Sequence, residues 1–103
     1  MNKEIIPLSE SREKIDNIDK ELVRLFSERL KAAADIAEYK KANSMSVYDK
    51  EREIQLLKKI SELSDGEFEE YTKELYSAIL TISKKYQNTI LGKPSTDTDG
   101  CKD

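Results

Sequence analysis

Two basic side chains stand in line with the apolar residues of a long helical segment, where a buried anion would be needed to balance them. The positions that recur at alternating spacings of three and four are Ile15, Ile18, Leu22, Leu25, Arg29, Ala32 and Ile36. Arg29 thus takes a place typical of leucine. At about 100° per residue, Lys40 lies within roughly 20° of Arg29, and Arg12 lies about 100° away, at the edge of the row. This pattern predicts a helix that holds an anion.

Further polar residues accompany the apolar rows of two later segments. The row of the second segment is formed by Leu56, Leu57, Ile60 and Leu63. One turn earlier the same row reaches Glu53, so its carboxylate is predicted to face inward. Asp49 is a predicted N-cap, and Arg52 in the first turn opposes the helix dipole. In the third segment Ser83 and Gln87 lie four residues apart and share one face beside the apolar row.

The composition limits the chemistry that these residues can perform. The chain has 103 residues, 38% of them charged and 37% hydrophobic, with three glycines and two prolines, so we expect one helical domain. It contains no histidine, which excludes catalytic triads and imidazole acid–base catalysis. A net charge of −3 disfavours a general nucleic-acid surface. The polar start, the absence of an apolar span and the single cysteine predict a cytoplasmic protein without membrane contact.

Three helices are predicted to position the polar residues. They cover residues 9–42, 49–63 and 67–90, with Ser9 and Asp49 as N-caps of the first two. The buried row of the third helix is predicted to consist of Phe68, Tyr71, Leu75, Ile79, Ile82, Tyr86 and Ile90. Each helix therefore has one apolar face with polar residues on it or beside it.

The predicted helical domain covers residues 9–90, between a short lead over residues 1–8 and a disordered polar tail over residues 91–103 that contains Cys101. At about 1.5 Å per residue the first helix is roughly 50 Å long, whereas a compact chain of this size has a diameter of roughly 33 Å. The helix would overhang its own domain. We therefore expect an intertwined homodimer, in which a second copy covers the rest of the helix.

Each polar residue also has a purely structural explanation. Lys40 complements the dipole at the end of its helix, and Arg29 pairs with a nearby acid or extends its charged end to solvent. Glu53 pairs with one of these two cations. Ser83 and Gln87 satisfy each other. The joint pattern favours function, because three helices each place polar groups on or beside an apolar row. It describes a pocket with excess positive charge, suited to a small dicarboxylate that carries a hydroxyl.

The sequence resembles the all-helical (type II) chorismate mutases over residues 8–90. The opening that starts at Arg12, REKID–ID–EL–RLF–ER–K, is similar to the signature of the family's first helix. Lys40 and the run VYDKERE at residues 47–53 resemble the second motif. The spacing of the third-helix pair is matched by Ser83 and Gln87.

This resemblance implies a [3,3] rearrangement of chorismate to prephenate, on the route to phenylalanine and tyrosine, with no metal or cofactor. It also implies a homodimer with two equivalent sites, each completed by the first helix of the other subunit. In such a site Arg29 and the partner subunit's Arg12 would bind the two substrate carboxylates, and Ser83 would assist one of them.

The resemblance implies roles for the remaining residues as well. Lys40 and Gln87 would donate hydrogen bonds to the ether oxygen of the breaking bond. Glu53 and the backbone at Asp49 would hold the ring hydroxyl, and Arg52 would add positive charge nearby. Such a rearrangement is unimolecular and proceeds by positioning and electrostatics, which agrees with a chain that has no histidine.

Three rival functions stay open on the sequence. An isochorismate–pyruvate lyase on the same fold needs nearly the same charges. A helical dimerisation module without catalysis would use the inward charges to fix its register. A regulatory subunit that docks on another pathway enzyme is the third. We favour the mutase because the full polar set, Gln87 included, is present.

Overall fold

Three α-helices and one 3-10 turn make up the part of the chain that the structure describes. A computed structural model describes residues 4–92. In chain order the elements are α1 (Leu8–Ala42), α2 (Lys50–Leu63), the 3-10 turn Gly66–Phe68 and α3 (Glu69–Leu91). No strand occurs within residues 4–92, so the prediction of an all-helical fold is confirmed. Among these helices none combines the length and the apolarity needed to cross a membrane.

The start of α1 differs from the prediction by one residue. The helix begins at Leu8, so Ser9 already lies in its first turn, and its prediction as the N-cap is wrong. The backbone N–H groups of Glu10 and Ser11 donate to the carbonyl of Pro7, at 3.1 and 3.2 Å. Proline suits the place before a helix because it has no N–H to leave unpaired while its carbonyl accepts the first bonds.

The last turn of α1 leads into a Schellman motif, which turns the chain toward α2. The N–H of Met45 donates to the carbonyl of Lys40 at 2.8 Å, and that of Ser44 donates to Lys41 at 3.3 Å. Ser44 takes the left-handed conformation that this motif requires, with φ of 56°. These bonds fix the backbone at Lys40 against the loop that follows it.

The boundaries of α2 agree with the prediction. Asp49 is its N-cap, and the Asp49 carboxylate accepts a hydrogen bond from the N–H of Arg52 at 3.1 Å. The helix ends at Leu63, where the N–H and the hydroxyl of Ser64 both donate to the carbonyl of Ile60, at 3.0 and 2.7 Å. The first turn of α2, which carries most of its predicted site residues, is therefore held by a side-chain cap.

The third helix begins later and ends later than predicted. The 3-10 turn Gly66–Phe68 precedes it, so α3 starts at Glu69 rather than at residue 67. It continues through Leu91 and stops at Gly92, whose φ of 83° is a left-handed C-cap. Leu91, predicted to open the disordered tail, is helical. The rest of that prediction falls on residues 93–103, which include Cys101 and lie outside the described residues.

The chain divides into two compact units, one up to Lys31 and the other from Ala32 onward. The first unit holds most of α1, and there the predicted apolar row is not buried within the single chain. Four members of that row are each 52–56% exposed, namely Ile15, Ile18, Leu22 and Leu25. An apolar row of this length in water requires a cover.

The second unit has an interior of small apolar and polar side chains. In it, α2 packs against α3. The buried apolar residues are Ala33, Ala37, Val47 and Ile60, and the buried polar ones are Ser83, Gln87 and Asn88. Polar groups therefore make up much of the interior of this unit, which is typical of a binding site rather than of a packed core.

The predicted buried rows of α2 and α3 are only partly buried within one chain. Leu63 and Tyr71 are both 72% exposed. Exposed with them are Phe68, Leu75, Ile82 and Tyr86, as are Ala32 and Ile36 of the row on α1. The prediction is wrong for the single chain because periodicity identifies an apolar face without showing what covers it. The inward face of α3 is instead the one that carries Ser83 and Gln87.

Candidate active site

A buried amide and a buried hydroxyl form the innermost part of the candidate site, on α3. Ser83 is 5% exposed and Gln87 8%. Since they lie four residues apart, their side chains meet on one face, and Gln87 Nε2 donates to Ser83 Oγ at 3.0 Å. Gln87 Oε1 is buried and has no partner among the described residues. A buried amide oxygen without a partner costs free energy, so a hydrogen-bond donor beside Oε1 would stabilise this pair.

Lys40 lies in the last turn of α1 and is half-buried. Its ammonium donates to the carbonyl of Val47 at 2.9 Å. A lysine ammonium has three N–H groups, so two of them remain to donate to a ligand. Val47 is itself buried, which places this cation against the inner side of the loop between α1 and α2.

The start of α2 contributes a carboxylate and backbone groups. The Asp49 side chain is engaged as the N-cap, which agrees with a role for its backbone rather than for its carboxylate. Arg52 is exposed, and Glu53 is half-buried. The N–H of Glu53 donates to the carbonyl of Asp49 at 3.1 Å, so the first turn is fully formed.

Lys84 is a site neighbour that the sequence reading missed. Its Nζ lies 3.0 Å from Glu53 Oε2, with side chains that are 12% and 24% exposed. The same ammonium lies 4.8 Å from the centroid of the Tyr48 ring. Glu53 was predicted to pair with Arg29 or Lys40 if its role were structural, and the ion pair found is with Lys84. The available signal was spacing, because Lys84 directly follows Ser83 and precedes Gln87 by one turn.

The two arginines of the first unit lie on α1. Arg12 is exposed, and Arg29 is half-buried on a helix whose row members Leu22 and Leu25 are more than half exposed. A half-buried guanidinium in a row otherwise made of aliphatic side chains is unusual, because burying an arginine requires an anionic or hydrogen-bonding partner. The roles that the sequence predicts for both arginines stay predictions.

An open cavity of about 350 Å³ adjoins Lys40 in the second unit. Its lining consists of Lys40, Lys41, Ser44, Met45, Ser46 and Leu91. Of the residues predicted for the site, this cavity touches Lys40. Among the predicted residues, Gln87 thus donates to Ser83, and the backbone N–H of Arg52 donates to the Asp49 carboxylate. Glu53 forms its ion pair with Lys84, which was not predicted.

A family model described as chorismate mutase type II matches residues 11–88 of the chain. This range contains every residue predicted for the site. The chain therefore belongs to the type II chorismate mutase family.

Curated relatives agree with this membership. A bifunctional chorismate mutase/prephenate dehydratase of Aquifex aeolicus is 35% identical over 100 residues, which cover 88% of this chain and 28% of the relative. A bifunctional chorismate mutase/prephenate dehydratase of Neisseria gonorrhoeae is 33% identical over 92 residues, which cover 84% of this chain and 25% of the relative. A chorismate mutase of Methanocaldococcus jannaschii is 39% identical over 56 residues, 54% of this chain and 57% of that protein.

The chain spans about a quarter of the length of these bifunctional relatives. A comparison with solved structures returns no significant match.

Proposed function

We propose that this chain converts chorismate to prephenate, in the biosynthesis of phenylalanine and tyrosine. The observation that carries the proposal is the family match over residues 11–88, which includes all the predicted site residues. The Methanocaldococcus relative is named chorismate mutase, and the bifunctional relatives carry that activity in the first half of their names. The proposal is restricted to this activity.

The proposed reaction requires little covalent chemistry from the protein. One C–O bond of the substrate breaks at the ether oxygen while a C–C bond forms at the other end of the enolpyruvyl arm. The protein has to hold that arm over the ring in a reactive geometry. It also has to stabilise the negative charge that grows on the ether oxygen as the C–O bond breaks. Fixed cations and amide donors are sufficient for both tasks.

Lys40 is the proposed main donor to the ether oxygen. Its contact with the carbonyl of Val47 at 2.9 Å supports this role, because it aims the ammonium while leaving N–H groups to donate. A cation held in place by the backbone loses little further freedom when the transition state forms.

Gln87 is the proposed second donor to the same oxygen, and Ser83 orients it. In the structure the amide NH₂ is used by Ser83 Oγ, and the amide oxygen has no described partner. A rotation of the amide by about 180° would let the Ser83 hydroxyl donate to Oε1 and would release the NH₂ for the substrate. The unpaired oxygen supports this exchange, because the rotation would give it the partner that it lacks.

Glu53 and the start of α2 are proposed to hold the ring hydroxyl. The half-buried Glu53 carboxylate is an acceptor, and the capped first turn presents the backbone at Asp49. Arg52, exposed in the same turn, adds positive charge that attracts a dianionic substrate.

The proposed enzyme is a homodimer in which Arg29 and the partner subunit's Arg12 bind the substrate carboxylates. The support is the exposed apolar row of α1, whose isoleucines and leucines are a little over half exposed, so burying the remainder would contribute roughly 1 kcal/mol each. A second copy of the same chain offers the same row and is its natural cover. The cytoplasmic location and the domain limits of residues 9–90 stay predictions.

The test is a direct assay of chorismate loss by ultraviolet absorbance, with chromatographic identification of the product. We expect turnover to prephenate without added metal or cofactor. Pyruvate from isochorismate, with no turnover of chorismate, would replace the mutase by the lyase. Inactivity on both substrates would favour a dimerisation module or a regulatory subunit.

A further inference from the structure

The ion pair between Lys84 and Glu53 joins α3 to the first turns of α2. The charged atoms are 3.0 Å apart, and the Lys84 side chain is 12% exposed. An exposed lysine–carboxylate pair contributes little, because water screens it and both side chains lose freedom. Lys84 differs from that case because it is largely buried and also contacts the face of the Tyr48 ring. Its charge is therefore held at one place in the second unit.

We infer that Lys84 is a positioning residue for Glu53, which neutralises the Glu53 carboxylate and aims it at the ring hydroxyl of the substrate. This inference rests on the proposed function. Chorismate carries two carboxylates, and an unpaired Glu53 would repel them. Like charges brought together in a binding site cost affinity. With Lys84 in place the pair is neutral, so Glu53 can accept a hydrogen bond without repelling the substrate.

The geometry of the carboxylate agrees with this division of roles. Lys84 binds Oε2 of Glu53. A carboxylate has about four acceptor positions on its two oxygens, so Oε1 retains the capacity to accept from a hydroxyl. Fixing one oxygen also reduces the freedom that the side chain would otherwise lose when substrate binds.

The position of Lys84 links it to the other proposed site residues. It follows Ser83 and precedes Gln87 by three residues, so the same two turns of α3 carry all three side chains. Lys84 also contacts Tyr48, which lies in the loop between α1 and α2. In the same loop the carbonyl of Val47 accepts a hydrogen bond from Lys40. Two ammonium groups therefore hold the loop ahead of the Asp49 cap.

A purely structural role would make different predictions. If the pair only fastened α2 to α3, its loss would lower the melting temperature and leave the KM of the folded enzyme unchanged. If Lys84 neutralises Glu53, its loss would raise the KM for chorismate, because the unpaired carboxylate repels the substrate. Stability and KM therefore have to be measured on the same variants.

The experiment compares the wild type with Lys84→Met, Lys84→Arg and the matched control Lys85→Met, whose side chain is exposed. We expect Lys84→Met to raise KM on the order of tenfold, with a smaller change in kcat. Lys84→Arg should restore most of the affinity because it keeps the charge, and Lys85→Met should behave as the wild type. An unchanged KM in Lys84→Met with a native circular dichroism spectrum would overturn the inference.

A second pair of variants keeps the test valid if Lys84→Met does not fold. In Glu53→Gln the carboxylate charge is absent, so adding Lys84→Met should leave KM nearly unchanged. A further large rise in KM in the double variant would show that Lys84 acts independently of Glu53 and would contradict the inference. A wild type that leaves chorismate intact would overturn the proposed function and this inference with it. An active wild type together with Lys84 variants whose KM for chorismate is unchanged would overturn the inference alone.

Discussion

The two units of the chain differ in how much of their structure a single copy completes. In the first unit, α1 leaves Ile15, Ile18, Leu22 and Leu25 more than half exposed. In the second, Ser83, Gln87 and Asn88 are buried, and an ion pair and a lysine–carbonyl bond join its elements. The first unit thus has an exposed apolar surface, whereas the second has a buried amide oxygen, Gln87 Oε1, without a partner among the described residues.

The two units therefore differ in the kind of contact that would stabilise them. Exposed apolar side chains are stabilised by any close-packed apolar surface, so the first unit calls for a protein partner. A buried amide oxygen is stabilised by a hydrogen-bond donor, so the second unit requires a donor beside Gln87 Oε1. The proposed homodimer would satisfy the first requirement, and the proposed rotation of the Gln87 amide, which lets the Ser83 hydroxyl donate to Oε1, would satisfy the second.

The largest expected effect follows from removing the cover of the first unit. Leu22→Lys should dissociate the proposed dimer and abolish activity, because it places a charge in the apolar row. Light scattering after gel filtration would show a mass of one chain instead of two.

The matched control is Val23→Lys, the next residue of α1, which lies about 100° around the helix from Leu22. Val23 is 67% exposed and adjoins Asp16, Asp19 and Lys20. We expect a dimer with normal activity from this variant. A dimer from Leu22→Lys as well as from Val23→Lys would show that the apolar row does not mediate assembly.

The next effect concerns the cation of the second unit. Lys40→Ala should lower kcat by about 10² to 10³, because one fixed donor to the growing negative charge is lost. The dimer should persist, since Lys40 is not part of the exposed row. Lys59→Ala, at an exposed lysine of α2, is the control and should retain activity. Near-normal kcat in Lys40→Ala would remove Lys40 from the proposed mechanism.

The smallest effect tests the capped start of α2. Asp49→Ala removes the bond from the Arg52 N–H and should lower the free energy of unfolding by about 1 kcal/mol, with a modest loss of activity. Asp65→Ala is a good control, because Asp65 precedes the 3-10 turn without a side-chain cap bond. Thermal unfolding would separate the two. Equal losses of stability would mean that the Asp49 cap contributes nothing specific.

The sequence predicted those features that depend on local rules. Asp49 as N-cap and the pairing of Ser83 with Gln87 follow from the side-chain chemistry and from the spacing of four, and both are found. The start of α1 was missed by one residue, because the carbonyl of Pro7 and not the side chain of Ser9 accepts the first bonds.

Features that depend on distant contacts could not be predicted in the same way. The apolar pattern predicts that Glu53 faces inward, but it does not identify Lys84 as its partner, because that ion pair joins two different helices. Leu63 and Tyr71 were predicted to be buried and are 72% exposed, because the pattern does not show which surface covers a face.

The central claim is that a working site combines Arg29 of one chain with Arg12 of another, and mixed dimers test it directly. Arg12→Ala and Arg29→Ala should each be nearly inactive alone. After co-refolding in equal amounts, half of the dimers carry one intact site, so about a quarter of wild-type activity should return. A mixture as inactive as its two components would contradict the shared site.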